Sequence, residues 1–338
     1  MNIKDIARIS GVGVSTVSRV VNNHPDVKKE TREHILNVIK EYNYIPNDSA
    51  RVLKQNNTKN IGVLIKGIFN PFLSEMINII SERIQHMGYM MILQHTEVED
   101  NDIDSTIRFI KEKRLQGMIC LGGNFSKVKE DTFQGIDIPI ILTSINLPKE
   151  NEVKNKFSVI DIDNEQAAYM AVQYLIEKGH KDICIMICDK SEAASFARYQ
   201  GYQKALQERG IEFKNENVLM GDYLVDKAYK ETMKFLETNR PTAIFAISDT
   251  MAIGVAKAVS DSGFEIGEDI SIIGFDGMDI AHYYTPTITT IKQPRKQMAE
   301  MSADLLFDIL SDQKKHQHRI LETKLLEGAS CKDMSNNR

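Results

Sequence analysis

Apolar residues along this chain follow two rhythms, and the change comes near Asn60. Before it they recur at helical spacing in short segments. Ile3, Ile6 and Ala7 share one face of a first short helix, and Val17 with Val20 or Val21 gives a second helix its apolar side. Between them Gly11-Val12-Gly13 reads as a tight turn. A third helix is predicted over Val27 to Tyr44, with Ile35, Val38, Ile39 and Tyr42 closing a small core. Pro46 stops it, and Asn47 or Asp48 can cap a further helix of about two turns, too short to be stable alone in water. A polar linker, Lys54 to Asn60, follows.

After Asn60 short apolar runs alternate with longer amphipathic ones, the pattern of an α/β fold with parallel sheets. Strands are expected at Ile61–Ile65, Tyr89–Leu93, Gly117–Leu121, Pro139–Thr143, Val159–Ile162, Ile183–Ile187, Ala243–Ile247 and Ile270–Phe275. Helices are expected at Phe72–Met87, Glu165–Glu177, Arg198–Glu208, Lys227–Glu237 and Thr250–Ser262. Gly88, Gly179, Gly210 and Gly263 stand just past helices, where a left-handed residue ends them. Two similar doubly wound lobes in tandem are implied, with a ligand between them at the carboxyl ends of the strands.

Charge follows the same division. Up to Asn60 there are ten Lys and Arg against six Asp and Glu; the remainder carries 32 against 41, for a net of −5 over 338 residues. A basic head on an acidic body suits a nucleic-acid partner at one end only. The polar face of the second helix fits that partner. Val14, Ser15, Thr16, Ser18, Arg19 and Asn22 are small or polar, and Arg19 can donate two hydrogen bonds to a guanine edge in the major groove. Thr31 and Arg32, near the start of the third helix, are suited to phosphate contacts.

Other chemistries find little support. No run of eighteen apolar residues and no secretory signal is present, so a cytoplasmic protein without a membrane span is expected. Cys184 and Cys188 lie in an apolar run, ICIMIC, that reads as a buried strand, and no histidine or second thiol pair completes a metal site. No P-loop, nucleophile elbow or glycine-rich dinucleotide fingerprint appears. The chain is therefore expected not to be an enzyme and to need no metal or other cofactor.

The sequence resembles the lactose/galactose-repressor family of bacterial transcription regulators over nearly its whole length. The stretches that carry this are IKDIARISGVGVSTVSRVVNN, TREHILNVIKEYNYIPNDSARVLK, IGVLIKGIFNPFLSEM, PTAIFAISDTMAIGVAKAV and IIGFDGMDIAHYYTPTITTIKQP. The resemblance implies an all-α helix-turn-helix headpiece over 1–58, with a hinge helix near 47–54, and a periplasmic-binding-protein-like core over 59–338. The first lobe would run about 60–161 plus 293–311, and the second about 162–290 plus 320–330. Base-reading positions would be Val14, Ser15 and Arg19, and phosphate contacts Thr16, Ser18 and Asn22. Thr31, Tyr44, Asn47 and Ala50 join them in the DNA contact set, and Leu53 would enter the minor groove as a wedge. Two departures stand out: Gly13 replaces a capping serine, and Val14 replaces a residue often polar or aromatic.

Candidate ligand contacts come from both sources. Arg198 opens a predicted helix after a polar loop and can clamp an oxygen-rich ligand. Asp276 follows the strand IIGF at a sheet end, and Asp249 follows FAIS, where it serves a ligand or caps the next helix. By resemblance Leu73 and Tyr223 join them; Leu73 stands where relatives commonly carry an aromatic. The expected function is a repressor acting as a homodimer on pseudo-palindromic double-stranded operator DNA, switched by a sugar or sugar phosphate. The chain ends without the leucine heptads that make some relatives tetramers. Two alternatives remain open: control by a protein corepressor such as a phosphocarrier protein, and a free-standing solute-binding protein.

Overall fold

The computed structural model describes residues 1–21, 24–44, 59–66, 71–96, 100–129, 131–145, 147, 156–189 and 192–335. The chain forms two compact units, Met1–Thr58 and Lys59–Arg338. The proposed hinge helix over 47–54, with Asn47, Ala50 and Leu53, lies outside the described residues, as does Asn22.

The first unit contains α1 (Ile3–Ile9), α2 (Val14–Val21) and α3 (Lys29–Glu41). Asn2 caps α1 through a reciprocal box: its side chain accepts from the amides of Lys4 and Asp5, and the Asp5 carboxylate accepts from the Asn2 amide. Gly11 takes a left-handed φ of 64° in the turn. The Gly13 carbonyl accepts from the amides of Thr16 and Val17, opening α2 through the backbone. Ile6, Ala7, Val17, Val20, Ile35, Val38 and Tyr44 form the core.

One expectation there is inverted. Tyr42 is 44% exposed, and Tyr44, expected at the DNA, is buried in the core. The cause is local. Asn43 turns left-handed (φ 46°) just past α3, and the amides of Asn43 and Tyr44 bond back to the carbonyls of Lys40 and Ile39. This helix stop reverses the chain and returns Tyr44, not Tyr42, to the apolar side.

The second unit holds two six-stranded sheets. The first contains β1 (Asn60–Lys66), β2 (Met90–Thr96), β3 (Gly117–Leu121), β4 (Ile140–Thr143), β5 (Ser158–Ile162) and β11 (His318–Leu321), in the order β11-β5-β4-β3-β1-β2. The second contains β6 (Ile183–Ile187), β7 (Val218–Met220), β8 (Ala243–Ala246), β9 (Ser271–Asp276), β10 (Thr289–Lys292) and β12 (Lys324–Leu326), in the order β12-β10-β9-β8-β6-β7. Matched strand for strand, the two orders are the same. All pairings are parallel except β10 with β12.

Strands β3, β4, β6, β8 and β9 are buried along their whole length, because helices cover both faces. The helices are α4 (Pro71–His86), α5 (Asp102–Lys113), α6 (Asn164–Glu177), α7 (Ala193–Glu208), α8 (Val225–Leu236), α9 (Asp249–Asp261), α10 (Asp279–Tyr283) and α11 (Arg295–Leu310). Returning from the second sheet, α11 packs on α4 and the first sheet. The tail then divides: β11 extends the first sheet beside β5, and β12 extends the second beside β10. Gly88, Gly179, Gly210 and Gly263 all have positive φ, as helix stops require.

In each sheet the strand order reverses at one place, between β1 and β3 and between β6 and β8. Crossovers on either side of such a point leave opposite faces of the sheet and open a crevice at the strand ends.

Candidate functional site

The exposed side of α2 presents Val14, Ser15 and Arg19 to solvent, with Thr16 and Ser18 half-buried beside them. Val14 is 42% exposed, as Leu36 (46%) and Ile9 (37%) of the same unit also are, so its exposure alone marks no contact. The face is small-sided and carries one guanidinium, which suits a groove. Thr31 is half-buried on α3, while Arg32 donates to the His24 carbonyl and so braces the turn before that helix.

In the second unit a cavity of about 960 Å³ opens at the two switch points. Lys66 and Gly122 reach it from the ends of β1 and β3, and Cys188 and Ser248 from the ends of β6 and β8. The predicted residues Leu73, Arg198, Tyr223 and Asp276 all line it. Asp249 does not.

Arg198 lies in the second turn of α7 rather than at its start, because Glu192 caps the helix by accepting from the amides of Ala194 and Ser195. Its Nε donates to Asn164 Oδ1 at 2.9 Å, its Nη1 donates to the Ile247 carbonyl, and its plane lies 3.8 Å over the Phe275 ring. The guanidinium is thus fixed on three sides in the cavity wall. Asp276 closes β9 at φ 117° and accepts from Gln293 Nε2 at 2.8 Å. Gly277 follows with φ 70°, and a Cβ there would stand 2.7 Å from Lys292. Only glycine lets β9 and β10 run so close.

Asp249 is the first residue of α9, behind the capping Ser248, and is fully buried. Its oxygens accept from Thr290 Oγ1 and from the Met278 amide, both at 2.6 Å. The expected ligand contact is therefore corrected to a buttress: the carboxylate holds the backbone just past Asp276. Burial, and next the Asp276 charge, push its carboxyl up to about 8. Burial raises Asp276 to about 6, against the pull of Arg198 and the Gln293 hydrogen bond.

Strain gathers here as well. Ser144, Asp222, Tyr223 and Asp276 are non-glycine residues at positive φ, and all four line the cavity. Tyr223 donates to Glu192 Oε2 at 3.1 Å, which ties the loop after β7 to the start of α7.

Sequence reasoning missed several lining groups. Gln293 is 1% exposed, and its Oε1 has no hydrogen-bond partner among the described residues. A buried acceptor left open beside a cavity suits a ligand hydroxyl. Lys66 and Asp102 form an ion pair on the first-lobe wall, 3.0 Å apart. Lys66 ends a strand, the same signal that marks Asp276. Asp102 offered only the look of a residue in a first helical turn. Cys188 also lines the cavity, and burial pushes its thiol and that of Cys184 well above the ordinary range, so neither is a ready thiolate. No helix among the described residues is long and apolar enough to cross a membrane.

Comparison with known proteins places these sites in a context. Residues 2–47 match the model of bacterial regulatory proteins of the lacI family, and residues 58–329 that of periplasmic binding proteins and the sugar binding domain of the LacI family. The HTH-type transcriptional regulator MalR of Clostridium butyricum is 53% identical over 334 residues, spanning 98% of this chain and 99% of that protein. The HTH-type transcriptional repressor PurR of Vibrio vulnificus is 33% identical over 322 residues, 95% of each chain. Among solved structures, the transcriptional regulator CelR in complex with cellobiose superposes with a TM-score of 0.71 at 25% identity, covering 98% of this chain and 99% of that one. The lac repressor dimer bound to operator and an anti-inducer has the same fold, with a TM-score of 0.76 at 24% identity over 98% of both chains. The chain belongs to the LacI family of DNA-binding bacterial transcription regulators.

Proposed function

We propose that this regulator is a cytoplasmic repressor that binds a pseudo-palindromic operator as a homodimer, and that a neutral sugar in the cleft switches its affinity. The observation that carries the ligand class is the charge of the cavity wall. Six carboxylates face four cations among its described lining residues, and on each wall a buried or half-buried cation stands beside a buried carboxylate. Such pairs offer donors and acceptors together, as sugar hydroxyls require, while the excess of carboxylates opposes a phosphate. A sugar phosphate is thus the weaker half of the original expectation. A built cavity of this size also favours a small ligand over a protein corepressor, which would need a surface.

On the DNA side, Val14, Ser15 and Arg19 are assigned to bases, and Thr16, Ser18, Asn22 and Thr31 to phosphates. Leu53 is assigned to the minor groove on family resemblance. The sugar acts only as far as its affinities for the operator-competent and operator-free states differ.

A thermal-shift screen of the full chain against neutral sugars, sugar phosphates, nucleosides and nucleobases tests the ligand class. Tryptophan is absent, so a dye reports the transition. A rise in melting temperature with neutral sugars alone is expected, by mass action. A rise confined to nucleobases, or to none of the panel, would sink the sugar reading. For the headpiece, Arg19→Ala is expected to weaken specific operator binding by about 1–3 kcal/mol while nonspecific binding changes little. Equal loss on both would reduce Arg19 to a phosphate contact.

A further inference from the structure

The first-lobe wall carries a polar construction that the DNA-binding and cleft motifs of the sequence leave unused. Lys66 closes β1, and its ammonium donates to the Asp100 carbonyl at 2.7 Å and pairs with Asp102 Oδ1 at 3.0 Å. The other oxygen of Asp102 accepts from the Asn124 amide at 2.7 Å. Asp102 is 4% exposed, whereas the Lys66 side chain keeps 17% of its surface, and both line the cavity. The loop that carries Asn124 reaches the carboxylate only because Gly123 stands at φ 105°; a Cβ there would lie 3.1 Å from the Asp102 carboxylate carbon.

The bond count is incomplete. An ammonium has three donors, and Lys66 spends one on the Asp100 carbonyl while it lies against Asp102 Oδ1. Asp102 Oδ2 accepts from the Asn124 amide, but Oδ1, though buried, has no hydrogen-bond partner among the described residues. An unsatisfied buried acceptor beside a lysine on a cavity wall suits a ligand hydroxyl. The pair is held by backbone groups, the Asp100 carbonyl on the lysine and the Asn124 amide on the carboxylate, and both residues line the cavity.

We infer that Lys66 and Asp102 are specificity-determining residues of the ligand site: they bind adjacent hydroxyls of a neutral saccharide and reject its phosphorylated form. This rests on the sugar reading of the cleft and extends it to the opposite wall. One hydroxyl accepts from the free ammonium proton and its neighbour donates to Asp102. A phosphate brought to the same place would gain Lys66 but meet the Asp102 carboxylate, whose charge is already matched once. With Arg198, Asp276 and the open Gln293 oxygen facing from the second lobe, the ligand is held from both sides.

The test uses the full chain and calorimetric titration with maltose, cellobiose and their 6′-phosphates. Wild type is expected to bind a neutral disaccharide at least tenfold more tightly than its phosphate. Asp102→Asn keeps the acceptor for the Asn124 amide and removes the charge. It is expected to weaken the neutral disaccharide about tenfold and to narrow the neutral-to-phosphate ratio. The double variant Lys66→Met with Asp102→Asn leaves no unpaired buried charge, so it keeps the test readable if the single change destabilises the lobe, and it is expected to lose that ratio altogether. If wild type binds a disaccharide and both variants keep its affinity and its ratio, the pair is structural and the inference falls while the sugar reading stands. A wild-type preference for the phosphate overturns it too. If wild type binds none of the four sugars but responds to another compound class, the sugar reading itself has failed.

Discussion

The two walls of the cleft rise from sheets of the same strand order, yet their polar groups are laid out in opposite ways. On the first wall the cation, Lys66, ends a strand and the carboxylate, Asp102, starts a helix. On the second the cation, Arg198, sits inside a helix and the carboxylate, Asp276, ends a strand. Topology thus decides where polar groups can stand, at strand ends beside the switch point, and leaves their chemistry free. The difference has a mechanical side. A guanidinium stacked on Phe275 and bonded to Asn164 is fixed before any ligand arrives. A lysine reaches over four rotatable bonds and adapts. The second wall is built to orient a ligand, and the first to sort among ligands that fit.

The largest effect should follow from breaking the rigid wall. Arg198→Met removes the donors to Asn164 and to the Ile247 carbonyl and the stack on Phe275. Each buried acceptor left unsatisfied costs roughly 1–3 kcal/mol of stability, and sugar affinity should fall by on the order of 100-fold. Urea unfolding and titration calorimetry measure the two losses separately. Lys66→Met should cost less in both, because its side chain is partly exposed and its partner keeps the Asn124 amide. Equal losses at Lys66 and Arg198 would break the division into an orienting and a sorting wall.

A smaller effect belongs to the second wall alone. Asp249 and Asp276 both titrate above the ordinary carboxylate range, raised first by burial. The folded chain therefore holds protons that the unfolded chain has released, and stability falls as pH rises through about 6 and about 8. This pair is most favourable near pH 4, costs progressively more up to about 8, and is constant above that. Urea unfolding at pH 6 and pH 8 should differ by roughly 2–3 kcal/mol on this account. Asp249→Asn should flatten that slope; an unchanged slope would place the titration elsewhere.

The two walls were unequally legible in the sequence, for physical reasons. Strands β3 and β6 match their apolar runs residue for residue, because a strand buried on both faces has no polar positions to blur its limits. The edge strands β7, β11 and β12 are three or four residues long and partly exposed, and left no such run. The sequence reading starts α7 at Arg198, five residues late, because glutamate is a weak signal for a cap. Arg198 and Asp276 stood out as polar residues in apolar company. The strand-end rule that found Asp276 also applies to Lys66 in IGVLIK, but its partner lies 36 positions away across a fold that periodicity does not supply. Asp249 shows the rule's other limit: a residue past a strand end can turn its carboxylate inward to the backbone.

The smallest effect probes what joins the walls. Arg295, 13% exposed in its side chain, pairs with Glu75 of α4, lies 3.5 Å from Asp279 and donates to the Gly277 carbonyl at 2.8 Å. It thus ties the helix over the first sheet to the strand end that carries Asp276, beside a second, mostly apolar cavity of about 380 Å³. Its carboxylate partners are 44% and 86% exposed, so the ion pairs themselves are worth no more than about 1 kcal/mol. Arg295→Gln should lower stability by less than that, and should shift sugar affinity by no more than about fivefold. Both losses should shrink further in high salt, since exposed pairs are screened. If instead Arg295→Gln costs as much affinity as Arg198→Met, the energy of ligand binding resides in holding the lobes together. The contrast between the walls would then be secondary. Calorimetric titration of the two variants side by side, at low and high salt, decides between these.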